Sequence, residues 1–92
     1  MSSYNLLNGI HTSENRELLT GILRDQWGFE GVVTTDWWNT AEHYLELKAG
    51  NDIKMASGYP LRVMEAYEKG LISREEIALC ARRVLELLLK LE

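Results

Sequence analysis

A helix-rich α/β fold with few strands, lying parallel, is what this sequence predicts. Three features carry the prediction. Gly31-Val32-Val33-Thr34-Thr35 is a short β-branched run opened by a glycine, which reads as a strand. Apolar residues recur at three- and four-residue spacing on both sides of it, as in amphipathic helices. Strand and helix signals then alternate, which points to parallel pairing across helical crossovers.

Taken in order, Met1–Leu7 reads as a weak opening strand, closed by a turn at Asn8-Gly9. Ser13 is placed to cap a helix, with Glu14 in its first turn near the positive end of the dipole. Leu18, Leu19, Ile22 and Leu23 form its apolar stripe, Trp27 extends it, and Gly28 ends it as a left-handed cap. The main strand runs from Gly31 to Trp38, and two successive valines suit a strand covered on both faces. Asn39 or Thr40 caps a second helix reaching about Ala49 and closed by Gly50, and Ile53-Lys54-Met55 is a weak further strand. Pro60 fits the first turn of a third helix ending at Gly70. Ser73 and Glu76 spell a capping box, with Ile72 and Ile77 as its hydrophobic staple. Ile77, Cys80, Ala81, Val84, Leu85 and Leu88 then share one face, while Leu79, Leu87 and Leu89 fall off it. That last helix carries more apolar surface than one packing face needs. Two or three strands leave long edges unpaired, so the chain reads as one segment, 1–92, of a larger α/β architecture.

Composition narrows the function. A length of 92 residues suits one small unit, whereas a complete (β/α)8 barrel needs roughly 200 or more. An apolar fraction of 46% argues against disorder. The net charge of −4 excludes a nucleic-acid footprint, which needs a clustered positive face. Apolar runs are too short for a transmembrane helix, and no secretory leader is legible, so no membrane partner is expected. The lone Cys80 excludes an internal disulfide and a cysteine-rich zinc site. His11 and His43 share no ligand spacing with carboxylates, so neither a metal nor another cofactor is expected.

Asp36 is the most informative residue. It stands at the carboxyl end of the best strand, the end that faces the active site in barrels and open α/β sheets. Trp37 and Trp38 follow it directly. A carboxylate beside indole rings suits a sugar site: the ring stacks on a pyranose face and the carboxylate serves the anomeric carbon. From spacing alone an equal alternative stands, in which Asp36 caps the next helix and the tryptophans are core. Asp52, between Asn51 and Ile53, reads as a turn residue rather than a catalyst. Cys80 reads as packing. Arg82-Arg83 with Lys90 reads as a solvated face or a contact to a neighbouring element.

Several segments in the same order resemble family 3 glycoside hydrolases, the β-glucosidase and β-xylosidase branch above all. They are Ser3-Tyr4-Asn5 with Asn8-Gly9, Glu14-Asn15-Arg16-Glu17-Leu18-Leu19, Leu23-Arg24, Trp27-Gly28-Phe29-Glu30-Gly31, and Val32-Val33-Thr34-Thr35-Asp36-Trp37. Ala49-Gly50-Asn51-Asp52-Ile53-Lys54-Met55, then Gly70-Leu71-Ile72-Ser73 and Arg83-Val84-Leu85, continue the likeness. The resemblance implies the C-terminal third of a (β/α)8-type barrel acting on β-linked oligosaccharides or glycosides with retention. It implies Asp36 as the catalytic nucleophile, and Trp37 and Tyr4 as substrate-binding residues. Thr35 stands where the family usually has serine. The resemblance also implies an acid/base Glu from a second domain that no part of this chain matches, so the isolated chain is expected to be inactive. A partial barrel exposes strand edges and an apolar face, so self-association into a homo-oligomer, or pairing with a complementing chain, is expected to complete it. A non-catalytic helical self-association module is the alternative from another class.

Overall fold

The computed structural model describes residues 1–56 and 58–92. Strands β1 (Leu6–Leu7) and β2 (Ile10–His11) form a small antiparallel hairpin, Leu6 opposite His11 and Leu7 opposite Ile10. Its turn needs positive φ at both central residues, which Asn8 (52°) and Gly9 (80°) supply. The opening segment is therefore a strand only at its end, although the Ser2 N–H also donates to the Thr34 carbonyl at 2.8 Å.

The first long helix, Glu17–Gln26, is wound as a wide π-type helix, with the Trp27 N–H reaching the Ile22 carbonyl at 2.9 Å. Its start corrects the expected cap. Asn15 Oδ1 accepts the Leu18 N–H at 3.0 Å, while Ser13 is fully buried in a 3-10 turn, Thr12–Glu14, and accepts from Asn39 Nδ2. The wider turns also rotate later residues off the apolar face. Leu19 and Arg24 point inward, but Trp27 is 74% exposed and does not extend the stripe.

The expected strand Gly31–Trp38 does not build a ladder. One parallel bridge joins Thr34 to Ile53. Around it the Thr35 N–H donates to the Ile53 carbonyl at 2.9 Å and the Asp52 N–H to the Val33 carbonyl at 2.8 Å. The Val33 N–H is taken by the Asp52 carboxylate instead of a partner strand, which stops the ladder from propagating. The parallel sense and the burial are as the two valines imply for Val33, only 2% exposed. Leu19, Val33 and Ala49, with Leu23 beside them, form the core cluster.

The next helix, α1, spans His43–Ala49, later than expected. Asn39 Oδ1 accepts the Ala41 N–H and caps a turn, not the helix, while Glu14 Oε1 reaches across to accept the Glu42 N–H at 2.9 Å. Gly50 closes α1 at φ 104°, where a Cβ would stand 2.7 Å from Thr20 Oγ1. Gly50→Ala is expected to cost about 1–3 kcal/mol in urea unfolding. Gly21→Ala, whose Cβ would meet nothing nearer than 3.9 Å, is expected to stabilise by about 0.5–1 kcal/mol. Equal midpoints for the two variants would count against this account of Gly50.

Helix α2 (Pro60–Glu68) starts on its proline and turns Val63 and Ala66 inward. Helix α3 (Arg74–Lys90) opens on the full capping box: Ser73 Oγ accepts the Glu76 N–H and Glu76 Oε1 accepts the Ser73 N–H. That backbone bond holds the Glu76 carboxyl below its usual range. Cys80 seats α3 on α1, its Sγ donating to the Leu47 carbonyl at 3.5 Å, and burial pushes the thiol up to about 12. Such a thiol packs and does not react. Beyond it the end of the expected apolar face stays in water: Leu85 and Leu88 are more than half exposed, as are Leu89 and Leu91 outside that face.

Candidate functional site

Asp36 follows the laced segment directly. Two residues before its own position the chain is fixed on both sides, by Ser2 and by Ile53, and the Thr35 hydroxyl accepts the Met55 N–H at 2.9 Å. The Asp36 carboxylate is partly exposed, and its Oδ1 accepts the N–H of Trp37 at 2.7 Å. It caps no helix, since α1 begins at His43. Tyr4 comes to the same place from the chain start: its phenolic oxygen accepts the Trp38 N–H at 2.9 Å. Tyr4 and the turn after Asp36 are thus brought together. Trp37 and Trp38 are 49% and 73% exposed and stand edge to face, centroids 6.4 Å apart. They are not core.

Beneath this segment lies a polar centre that the local sequence did not reveal. Asp52, fully buried, accepts from Arg24 Nη2 at 2.7 Å and from the Val33 N–H at 3.0 Å on one oxygen, and from Arg83 Nη1 at 3.1 Å on the other. Arg24 also donates to the carbonyls of Gly31 and Gly50, and Phe29 lies over its guanidinium. The turn reading of Asp52 is corrected: it is the hub joining the π-helix, α3 and the segment that carries Asp36. Its ion-pair partners lie 28 and 31 residues away, too far for any local signal. Arg83 proves to be the contact to a neighbouring element.

An open cavity of about 450 Å³ begins at Trp37, one residue beyond Asp36, and lies between the loop after Asp36 and the loop after Lys54. Trp38, Glu42, His43, Tyr59 and Arg62 also line it. Asp36 and Tyr4 do not. Lys54 lines it too, and its Nζ forms a buried pair with Glu46 Oε1 at 2.7 Å. Burial raises the Glu46 carboxyl above its usual range, with Lys54 pulling the other way. Among the described residues no group of three His, Cys, Asp or Glu side chains could hold a metal, and no helix is long and apolar enough to cross a membrane.

His43 connects the two loops. Its Nδ1 accepts the Tyr59 N–H at 3.0 Å, so the ring is neutral with its proton on Nε2. Burial, then the Lys54 charge, lowers its pKa below the ordinary 6.5, against the pull of Glu42. The unfolded chain therefore binds the proton first as pH falls. Stability is expected to be full at pH 7 and to decline as pH drops through 6.5 toward the lower folded value. Glu46, shifted upward, acts in the opposite sense. Comparing melting temperatures of wild type and His43→Gln across pH 7.5–5 isolates the histidine. A decline of the same size in both proteins would remove His43 from this account.

Comparison with known proteins follows the same residues. The Glycosyl hydrolase family 3 N terminal domain matches residues 1–87. β-Glucosidase A of Butyrivibrio fibrisolvens is 55% identical over 74 residues, covering 80% of this chain and 9% of that protein. A β-glucosidase of Rhizobium radiobacter is 43% identical over 91 residues, covering 96% of this chain and 11% of its own length. Among solved structures, a family GH3 β-glucosidase of Bifidobacterium adolescentis superposes with a TM-score of 0.87 at 36% identity, covering 95% of this chain and 13% of that one. The chain spans about a tenth of the length of the relatives it matches.

Proposed function

This chain belongs to glycosyl hydrolase family 3, and from that premise we propose that it is the nucleophile-bearing segment of a retaining β-glycosidase. The segments holding Ser2, Thr34 and Ile53 are neighbouring strands of its barrel, and residues 1–92 form its C-terminal third. The supporting observation is the placing of one carboxylate. Asp36 stands just past a buried, parallel-bridged segment, beside an exposed indole and within a turn anchored by Tyr4.

The chemistry runs in two steps. The Asp36 carboxylate attacks the anomeric carbon, the bond from that carbon to the leaving oxygen breaks, and a carboxylic acid from a second domain protonates that oxygen. Water, giving its proton to the carboxylate so formed, then attacks the same carbon and frees Asp36. Trp37 stacks on the sugar, and Tyr4 holds the turn that presents it. Without the second carboxyl group, about 5–5.5 Å from the nucleophile in retaining enzymes, the isolated chain is inactive. The exposed leucines of α3 favour a further reading for the chain alone, pairing with a second copy or with the rest of a barrel.

The test is segment exchange. The 91 matching residues of the Rhizobium radiobacter relative are replaced by this chain, and hydrolysis of an aryl β-glucoside is measured with and without Asp36→Ala. Activity that depends on Asp36 supports the reading. Activity indifferent to it, or turnover by the isolated chain, refutes it.

A further inference from the structure

Helix α2 has no side-chain cap at its start, and its first residue, Pro60, has no N–H to give. That end is tied instead to the start of α1. On the exposed side Arg62 pairs with Glu42, and further in the Tyr59 N–H donates to His43 Nδ1 at 3.0 Å. The Gly58 backbone lies so close to the same ring that a Cβ there would stand 3.1 Å from His43 Cε1. Just upstream, Ala56 is held at φ 67°, a left-handed conformation that residues with a side chain rarely adopt. The imidazole is thus the seat on which Gly58 and Tyr59 rest, and the chain leading to it is strained.

This tie holds only while the ring is neutral. A proton on Nδ1 turns the acceptor into a donor, and two N–H groups then face each other. The surroundings offer the new charge no free partner. Glu42, beside the ring, is taken by Arg62 through two bonds of 2.9 and 3.0 Å, and Glu46 of α1 is taken by Lys54 at 2.7 Å. From the loop after Ile53, Lys54 adds a like charge, and Tyr59 brings a phenol whose ring already lies 5.9 Å from Lys54 Nζ. From α2 come Arg62, a second cation, and the positive end of the helix dipole. Burial and then Lys54 hold the His43 pKa below its ordinary value, in keeping with this arrangement.

We propose that His43 is a proton-operated latch: neutral, it holds Gly58 and Tyr59 against α1, and protonated, it lets them go while the rest of the fold stays closed. Release is local because the core cluster of Leu19, Val33 and Ala49, and the Asp52 hub, are built from other residues. Tyr59 is one wall of the cavity of about 450 Å³, so acid opens that cavity on its α2 side. The latch needs none of the roles proposed for Asp36, Trp37 or Tyr4.

Amide exchange of the isotope-labelled chain from pH 7.5 to 5, corrected for the intrinsic pH dependence of exchange, reads the latch at a single N–H. Protection of Tyr59 is expected to fall by about tenfold or more as the His43 ring titrates, while protection of Cys80, in α3, falls much less. Above the ring's midpoint its nitrogen resonances should show Nδ1 bare and Nε2 protonated. His43→Gln, whose side-chain oxygen can accept the same N–H but takes up no proton in this range, should keep Tyr59 protected down to pH 5. His43→Leu should leave Tyr59 poorly protected at every pH. Tyr59 protection that stays level through the His43 titration, or falls equally in His43→Gln, overturns the proposal. So does an equal fall at Cys80, which would mean opening of the whole chain and not of the latch.

Discussion

Asp52→Ala is expected to lower the unfolding free energy by about 3–5 kcal/mol, because it strands two arginines in the interior. The Arg24 side chain is 6% exposed and that of Arg83 is 16% exposed, and both point at the one carboxylate. The same substitution removes the acceptor of the Val33 N–H. Against a total of about 5–15 kcal/mol for a domain, such a loss takes much of the available stability. With a urea slope of about 1.5 kcal/mol/M the midpoint would fall by roughly 2–3 M. Asp25→Ala removes the same charge from an exposed site and should change stability by under about 0.5 kcal/mol. Asp52→Asn, which keeps the shape and one acceptor, should lie between. A loss under about 1 kcal/mol for Asp52→Ala would mean that the arginines find water or other partners, and that the hub is not what joins the helices.

Asp36→Ala in the segment-exchanged enzyme is expected to cut kcat by on the order of 10⁴-fold or more, as removal of a nucleophile does in other hydrolases. Four decades correspond to about 5.4 kcal/mol of barrel-assisted transition-state stabilisation. Stability should hardly change, since the Asp36 carboxylate is partly exposed and holds one local backbone N–H. The chemistry of rescue identifies the role. With the carboxylate gone, azide can enter from the face it occupied and attack the anomeric carbon while the leaving group departs, giving an inverted glycosyl azide. Loss of an acid/base group instead leaves the covalent intermediate to be trapped with net retention. Rescue with retention, or a loss below tenfold, would remove Asp36 from the nucleophile's role.

What the sequence disclosed was local. The Asn8-Gly9 turn, the Gly28, Gly50 and Gly70 closures and the Ser73–Glu76 box are each written within a few residues, and each is present. The helix starts near Ser13 and Asn39 were misplaced for different reasons: Asn15, two residues on, caps the first helix while Ser13 binds Asn39, and distant Glu14 caps the Glu42 N–H. The strand at Gly31 kept its burial but lost its ladder to a side chain, the Asp52 carboxylate. Asp36, Trp37 and Tyr4 became candidates for the site through a resemblance, and the Tyr4 phenol does meet the turn after Asp36. The Asp52 hub and the cavity of His43 and Tyr59 could not, since both arise where distant segments cross.

The lacing at Thr35 also separates two kinds of motion. The Thr35 N–H is bonded across 18 residues to the Ile53 carbonyl, and the neighbouring Asp52 is clamped between two helices. No short fluctuation can loosen that stretch, because it has no frayed end from which opening could spread. Displacing the root of Asp36 then costs nearly as much as undoing the whole domain. On the other side Trp37 and Trp38 hang in solvent on single hydrogen bonds to Asp36 and Tyr4. Amide exchange should therefore change abruptly between residues 35 and 38, from protection that tracks global stability to protection of almost none. Residue 36 stands on that step: a rigid footing for the carboxylate proposed as nucleophile, beside aromatic side chains still free to move.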